Sequence, residues 1–230
     1  MNNEEIMKMT EDYVMNTYGR FPMAFVSGKG ARLTDADGRE YLDFIAGLAV
    51  CNLGHCHPKV VAAIEEQARN LLHTSNLFHI APQARLAELI AKNSFAGKSF
   101  FCNSGAEAVE AAIKLARKYF SSKGESHRYQ IISMEKSFHG RTMAAMAATG
   151  QKKVQEGFEP LLEKFTYVPF GDSDAVKSAI NENTAALLVE PIQGEGGVNM
   201  PKLNYFQEVR EICNEAGVLL IMDEVQTGMG

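Results

Sequence analysis

The stretch Val218-Leu219-Leu220-Ile221-Met222-Asp223 is an apolar run that ends on a carboxylate. It lacks the alternation of apolar and polar residues seen in a strand with one face in water, so it indicates a strand buried on both faces. Strands of that kind belong to parallel sheets, whose ligands bind beyond the carboxyl ends of the strands. We therefore expect Asp223 to emerge from a central strand at the ligand-binding edge of a sheet.

Other apolar runs predict further strands of the same sheet. They cover residues 99–102, 130–132 and 185–189. Apolar residues at helical spacing predict helices over residues 107–120 and 203–216, and Gly217 supplies the left-handed residue that often ends a helix. Strands that alternate with helices predict an α/β fold with a mostly parallel central sheet.

The front of the chain predicts a small lobe. Residues 31–35 and 40–44 are short strand-like runs, and the Asp37-Gly38 pair between them favours a tight hairpin turn. At Pro58 a helical period begins, and proline suits the first turn of a helix. We therefore divide the chain into an N-terminal segment with a small-lobe hairpin, residues 1–57, and a larger α/β region, residues 58–230.

Composition excludes several classes of protein. Hydrophobic residues make up 46% and charged residues 22%, which is typical of a globular protein, and a net charge of −5 without a basic block predicts no nucleic-acid partner. No apolar stretch approaches the length of a membrane span, and Glu4 and Glu5 stand where a signal peptide carries positive charge. We expect a cytoplasmic protein with reduced cysteines and no membrane association.

One short stretch suggests metal ligands, because Cys51, His55, Cys56 and His57 lie within seven residues. Adjacent side chains diverge, however, and the sequence has no second cluster of this kind. We therefore expect no metal site.

Residues 103–107 have two interpretations. Ser104 and Glu107 have the S-x-x-E spacing of a capping box. Alternatively, the backbone N–H groups of Ser104, Gly105 and Ala106 bind a phosphate at the start of a helix, where Gly105 lets the anion approach closely. Taken alone, the five residues favour the cap.

Other polar residues follow the predicted strands, and each has a structural and a functional interpretation. Asp223 is a helix cap, or it pairs with a protonated heterocyclic nitrogen, and Gln226 then reaches a neighbouring oxygen. Arg141 is a surface charge, or its planar guanidinium grips a carboxylate with two hydrogen bonds. Phe138 is a core or a stacking residue, and Glu190 and Glu195 are solvated loop carboxylates or site residues.

Taken together and in this order, these segments resemble the class III, or ornithine-type, aminotransferases, which use pyridoxal 5'-phosphate. The matching stretches are Leu53-Gly54-His55-Cys56-His57-Pro58 and residues 103–110, 138–142, 189–197 and 223–228. Within that class, residues 74–78, 147–151 and 157–161 look most like the bacterial acetylornithine aminotransferases of arginine biosynthesis. The resemblance implies the large α/β fold of pyridoxal-phosphate enzymes, fold type I.

The resemblance also implies roles for individual residues. Ser104, Gly105 and Ala106 would hold the cofactor phosphate, and Phe138 would stack on the ring. Asp223 would pair with the pyridinium nitrogen, and Val225 and Gln226 would support the ring and its phenolic oxygen. The substrate would be bound by Arg141 at its α-carboxylate, with Glu195, Glu190 and Tyr18 nearby. The substrates would be an amino acid and a 2-oxo acid.

The family's Schiff-base lysine lies on the next strand beyond Asp223, followed by a C-terminal small domain, and neither is present before Gly230. Lys114, Lys118 and Lys136 do not match its position. We therefore expect the N-terminal part of a homodimeric enzyme, inactive as this chain alone.

The intact protein would move the δ-amino group of N2-acetyl-L-ornithine to 2-oxoglutarate. The alternatives left open are a sibling enzyme acting on ornithine, succinylornithine, succinyldiaminopimelate or 4-aminobutyrate, a nicotinamide-dependent oxidoreductase, and a non-catalytic binding protein. The absence of a G-x-G-x-x-G fingerprint counts against the oxidoreductase.

Overall fold

The structure is a computed structural model that describes residues 1–95 and 97–229. The chain divides into two compact units, Met1–Ser99 and Phe100–Gly230. The boundary expected after residue 57 falls inside the first unit, and the assignment of residues 58–230 as an incomplete cofactor-binding domain stays a prediction. Among the described helices, none combines the length and the apolar character needed to cross a bilayer.

The described residues of the first unit form four helical segments and a small antiparallel sheet. In chain order its elements are α1 (Asn3–Tyr13), β1 (Phe25–Lys29), β2 (Arg32–Asp35), β3 (Glu40–Leu42), α2 (Ala46–Ala49), α3 (Pro58–Asn70) and α4 (Ala81–Asn93). The predicted hairpin is confirmed, since β2 and β3 pair antiparallel and Gly38 has a φ of 83° in the turn. β1, which the sequence analysis did not predict, pairs with the other edge of β2.

The second unit is an α/β layer structure. Its elements are α5 (Gly105–Ser122), β4 (Gln130–Met134), α6 (Met143–Ala148), α7 (Lys152–Gln155), β5 (Phe165–Val168), α8 (Ser173–Ala179), β6 (Thr184–Val189), α9 (Tyr205–Ala216) and β7 (Leu219–Met222). The strand order is β5-β4-β6-β7, and every neighbouring pair is parallel. The predicted parallel sheet with crossover helices is therefore confirmed, and Gly217 ends α9 in the left-handed conformation as expected.

The core lies on both faces of this sheet. Successive residues of a strand point to opposite faces, so Leu188 joins the cluster formed with α5 and α6, whereas Leu187 and Val189 join the cluster formed with α8 and α9. Every residue of β6 is buried. This double burial explains why the sequence of β6 shows no alternation.

Two predictions about strands were wrong. Residues 99–102 do not form a strand, and Phe100 is 74% exposed, because an extended segment becomes a strand only by hydrogen bonding to a neighbour and these residues pair with neither β5 nor β7. β7 was expected to be central, but in the described part of the chain it is the outer strand, and Leu219–Met222 is only partly buried or exposed. Apolar composition alone did not reveal which strands have neighbours.

We expect Leu188→Ala to lower the free energy of unfolding by about 2–5 kcal/mol, because it leaves a cavity between the sheet and α5. Urea denaturation followed by circular dichroism measures the change. The matched control is Leu203→Ala, since Leu203 is fully exposed and its loss should change stability by no more than about 0.5 kcal/mol. Equal stabilities of the two variants would contradict the packing described for β6.

Candidate cofactor-binding site

Three loops meet at the carboxyl edge of the parallel sheet. Residues 135–142 follow β4, residues 190–197 follow β6 and residues 223–228 follow β7. The backbone N–H of Asp223 donates to the carbonyl of Val189 at 2.8 Å, which continues the pairing of β6 and β7 by one residue. Asp223 therefore leaves the sheet beside Glu190, at the edge where the sequence predicted a ligand.

Asp223 is held by a histidine for which the sequence analysis gave no role. His139 Nδ1 lies 2.7 Å from Asp223 Oδ2, and the two side chains are 0% and 5% exposed. A carboxylate only accepts hydrogen bonds, so Nδ1 is the donor here. The N–H of Val225 donates to the other oxygen, Oδ1, at 3.1 Å. The Asp223 carboxylate is thus fixed in position by two donors.

A narrow cleft of about 70 Å³ opens beside this pair. It is lined by Phe138, Glu190, Ile192, Glu195, Asp223, Val225, Gln226 and Thr227. Six of these residues were singled out from the sequence, so the structure brings most of the predicted site together. Within the described part of the chain, the cleft lining contains no lysine.

The hydroxyl of Thr227, which the sequence analysis missed, is an orphaned group in this lining. Its Oγ1 is buried without a hydrogen-bond partner among the described residues. His139 Nε2, the ring atom opposite the one that binds Asp223, is in the same state. Burying a polar group without a partner is costly, so the cleft suits a ligand with polar atoms.

Glu190 is the carboxyl group whose surroundings disfavour charge. It is 8% exposed, and its Oε2 accepts the backbone N–H of Phe138 at 3.2 Å. Burial raises its pKa to about 8; the hydrogen bond from Phe138 opposes this shift, and the charges of Asp223 and Glu195 add to it. Glu190 is therefore mostly protonated at neutral pH.

Glu195 is exposed, and Gln226 Nε2 donates to its Oε1 at 3.3 Å. The two loops that carry these residues touch closely, since a Cβ at Gly194 would collide with the Gln226 side chain. The predicted pairing of Gln226 with a ring oxygen is not tested by this contact.

The first turn of α5 lies next to the cleft. Ser104 Oγ accepts the N–H of Glu107 at 3.2 Å, and the Glu107 carboxylate accepts from the backbone N–H of Asn103 rather than that of Ser104. A Cβ at Gly105 would come within 3.0 Å of the Val225 methyl groups, so this turn lies against the Asp223 loop. Since first-turn N–H groups have no partner within a helix, the cap and an anion site are compatible.

Arg141 lies on the same side of the second unit and is exposed. Its guanidinium carbon is 5.9 Å from the centre of the Phe138 ring. The preceding Gly140 has a φ of 126°, and a Cβ there would be 2.8 Å from the Cβ of Ala106. Arg141 is therefore carried on a segment that lies against the first turn of α5.

The remaining residues singled out from the sequence are not among those that line the cleft. Tyr18 belongs to the first unit, where Arg20 lies over its ring at 5.9 Å, and its proposed approach to the substrate stays a prediction. His55 Nε2 is 2.6 Å from Asp43 Oδ2, and no group of three or more potential metal ligands occurs among the described residues. Lys114 and Lys118 are exposed on α5, as predicted, and Lys136 is exposed too.

The fold is that of the pyridoxal-phosphate-dependent aminotransferases. The family model for class III aminotransferases matches residues 13–230, and the chain belongs to that family. This excludes the nicotinamide-dependent oxidoreductase as an alternative.

The chain is also similar to individual aminotransferases in sequence and in structure. The chain is 50% identical over 229 residues to an acetylornithine aminotransferase from Myxococcus xanthus, with 100% of this chain and 57% of the relative covered. The ornithine aminotransferase from Toxoplasma gondii ME49 superposes with a TM-score of 0.94 at 36% identity, over 99% of this chain and 55% of that one. A second structure of the Toxoplasma gondii enzyme, crystallised with oxidised glutathione, has partial occupancy of PLP at its active site, with a TM-score of 0.94 at 36% identity over 99% of this chain and 54% of that one. The chain thus spans a little over half the length of the relatives it matches.

We expect the stability of this unit to fall as the pH rises from about 4.5 towards 8 because of Glu190. Between these pH values the Glu190 carboxyl group keeps its proton in the folded protein and has lost it in the unfolded chain. The free energy of unfolding therefore decreases by at most about 1.4 kcal/mol per pH unit. Glu190→Gln keeps an acceptor for the Phe138 N–H but cannot ionise, so it should lose less stability over this range.

Urea denaturation between pH 5 and pH 9 tests this difference. Glu215→Gln is the matched control, because Glu215 is exposed on α9. If wild type and Glu190→Gln lost stability in parallel with rising pH, Glu190 would not be the protonated group.

Proposed function

We propose that this chain carries the cofactor-binding part of a transaminase that moves the δ-amino group of N2-acetyl-L-ornithine to 2-oxoglutarate in arginine biosynthesis. The observation that carries the proposal is the buried Asp223–His139 pair beside the first turn of α5. The identity to an acetylornithine aminotransferase over the whole chain supports this substrate. The intact enzyme is proposed to be a cytoplasmic homodimer.

The residues of the cleft fit pyridoxal 5'-phosphate. The first-turn N–H groups of Gly105 and Ala106, with Ser104, would hold the phosphate, because a helix N-terminus attracts anions. Phe138 and Val225 would hold the ring, and Gln226 would lie at its phenolic oxygen. The unpartnered hydroxyl of Thr227 in the cleft lining is the independent sign that a polar group belongs there.

Asp223 would accept a hydrogen bond from the protonated ring nitrogen. When bound, pyridoxal phosphate supplies the electron sink for transamination, and a carboxylate at this nitrogen keeps the ring protonated. His139 and the N–H of Val225 hold the Asp223 carboxylate from the protein side, so it does not need to reorient on binding.

Arg141 would bind the α-carboxylate that acetylornithine and glutamate share. A planar guanidinium offers two parallel N–H groups to a carboxylate, which a lysine ammonium does not. Glu195, which would swing aside for the dicarboxylate substrate, is exposed and joined to the cleft by its bond to Gln226. Glu190 would brace the site through the Phe138 backbone.

A second candidate substrate is ornithine. The structural match to the Toxoplasma gondii ornithine aminotransferase favours it, although at 36% identity rather than 50%. Succinylornithine, succinyldiaminopimelate and 4-aminobutyrate are the other siblings of the class. Steady-state kinetics of the intact enzyme with these five amino donors distinguishes the candidates, and we expect the highest kcat/KM for N2-acetyl-L-ornithine.

In the full-length holoenzyme, we expect Asp223→Ala to lower kcat about 100-fold or more, because the ring nitrogen loses its charged partner. Circular dichroism should show an unchanged fold. Asp174→Asn is the matched control, since Asp174 is exposed on α8. Near-normal turnover by Asp223→Ala would remove Asp223 from the cofactor site.

We expect Arg141→Lys to slow both half-reactions by about 10–100-fold, because each amino donor loses a two-pronged hydrogen bond to its α-carboxylate. Single-turnover measurements with acetylornithine and with glutamate test the halves separately. Arg210→Lys serves as the control, because Arg210 is exposed on α9. Unchanged rates with both donors would show that Arg141 is a surface charge.

A further inference from the structure

The helix α6 begins two residues after Arg141, and a side chain from another helix caps it. Thr142 is the N-cap residue of α6 but makes no side-chain cap of its own. Instead, Glu110 Oε1, on α5, accepts the Thr142 hydroxyl at 2.7 Å and the N–H groups of Ala144 and Ala145 at 2.9 and 3.4 Å. Glu110 thus supplies acceptors that the start of every helix needs.

The segment on the other side of Arg141 touches α5 as well. Gly140 lies against Ala106, where a Cβ at Gly140 would come within 2.8 Å of the Ala106 Cβ. Ala106 and Glu110 are four residues apart, and so lie on the same face of α5 one turn apart. Arg141 is therefore held between two attachments to one helix face, Gly140 on Ala106 and Thr142 on Glu110.

We propose that Glu110 is a positioning residue for the substrate carboxylate, because it fixes Arg141 relative to the first turn of α5. This inference rests on the proposed function, in which Arg141 binds the α-carboxylate and the first turn of α5 binds the cofactor phosphate. In this proposal Glu110 itself contacts neither the substrate carboxylate nor the cofactor phosphate. It determines how far apart the two binding groups lie, so its loss should weaken the grip of Arg141 on the α-carboxylate.

The three hydrogen bonds that Glu110 accepts depend on an oxygen acceptor more than on its negative charge. All three bonds are accepted by Oε1, and glutamine retains a carbonyl oxygen at that position. The negative charge adds a smaller favourable term at the start of α6. Glu110→Gln should therefore keep Arg141 in place, whereas Glu110→Ala should release it.

The test compares Glu110→Ala, Glu110→Gln and the exposed control Glu215→Ala in the full-length holoenzyme. For Glu110→Ala we expect KM for acetylornithine and for glutamate to rise about tenfold, with kcat changed far less, because the lost grip acts on substrate binding. Glu110→Gln and Glu215→Ala should stay within about twofold of wild type. Hydrogen exchange of the amides of Ala144 and Ala145 should speed up in Glu110→Ala and not in Glu110→Gln.

A double-mutant cycle shows whether Glu110 acts through Arg141. In an Arg141→Ala background, adding Glu110→Ala should raise KM no further. The proposal would be overturned if Glu110→Ala raised KM by the same factor in wild type and in Arg141→Ala. It would also be overturned if kcat fell by as large a factor as KM rose. Either result would make Glu110 a general stabilising residue. If Glu110→Ala does not fold, Thr142→Val removes one of the three bonds and should raise KM in the same direction by a smaller factor, and an unchanged KM there would also overturn it.

The failure of this inference differs from the failure of the proposed function. A wild-type holoenzyme that does not transaminate acetylornithine refutes the proposed function, and with it this inference. An active wild type whose Glu110→Ala variant matches Glu215→Ala refutes the inference alone.

Discussion

The parallel pairing of β6 with β4 on one side and β7 on the other determines where every group of the cleft lies. Thr184–Val189 is hydrogen-bonded along both edges, so β4, β6 and β7 end at the same side of the sheet. The bond from Asp223 N–H to the Val189 carbonyl continues this ladder into the site. A shift of register by one residue between β6 and β7 would turn Asp223 to the opposite face, away from His139.

The cleft places three carboxyl groups close together, and each has different surroundings. Asp223 accepts hydrogen bonds from His139 and from Val225 N–H, whereas Glu195 is exposed and contacts the Gln226 amide. Burial raises the pKa of Glu190 to about 8, so this group carries little charge at neutral pH. The cleft thereby avoids the repulsion of three like charges around Asp223, the proposed partner of the ring nitrogen.

The sequence predicted those parts of the structure that depend on local pattern. The strands β4, β6 and β7, the long helix α5, the hairpin at Gly38 and six of the lining residues were predicted from the sequence, because apolar runs and turn residues are local signals. The contact between His139 and Asp223 was missed, since it joins positions 84 residues apart. Residues 99–102 were misjudged for the same reason: whether an apolar run pairs as a strand depends on neighbours distant in sequence.

The groups of this site differ in what fixes them. Asp223 and Glu190 leave the ends of paired strands, so the sheet itself sets their positions. Arg141 instead lies on a connection between β4 and the short helix α6, several residues past the last ladder hydrogen bond. A connection of this kind keeps one geometry only when it is tied to something rigid, and the residues on either side of Arg141 both contact α5. In the proposed function the first turn of α5 binds the cofactor phosphate, so a single helix would set the spacing between the cofactor and the substrate carboxylate, and the sheet would set the position of the ring between them.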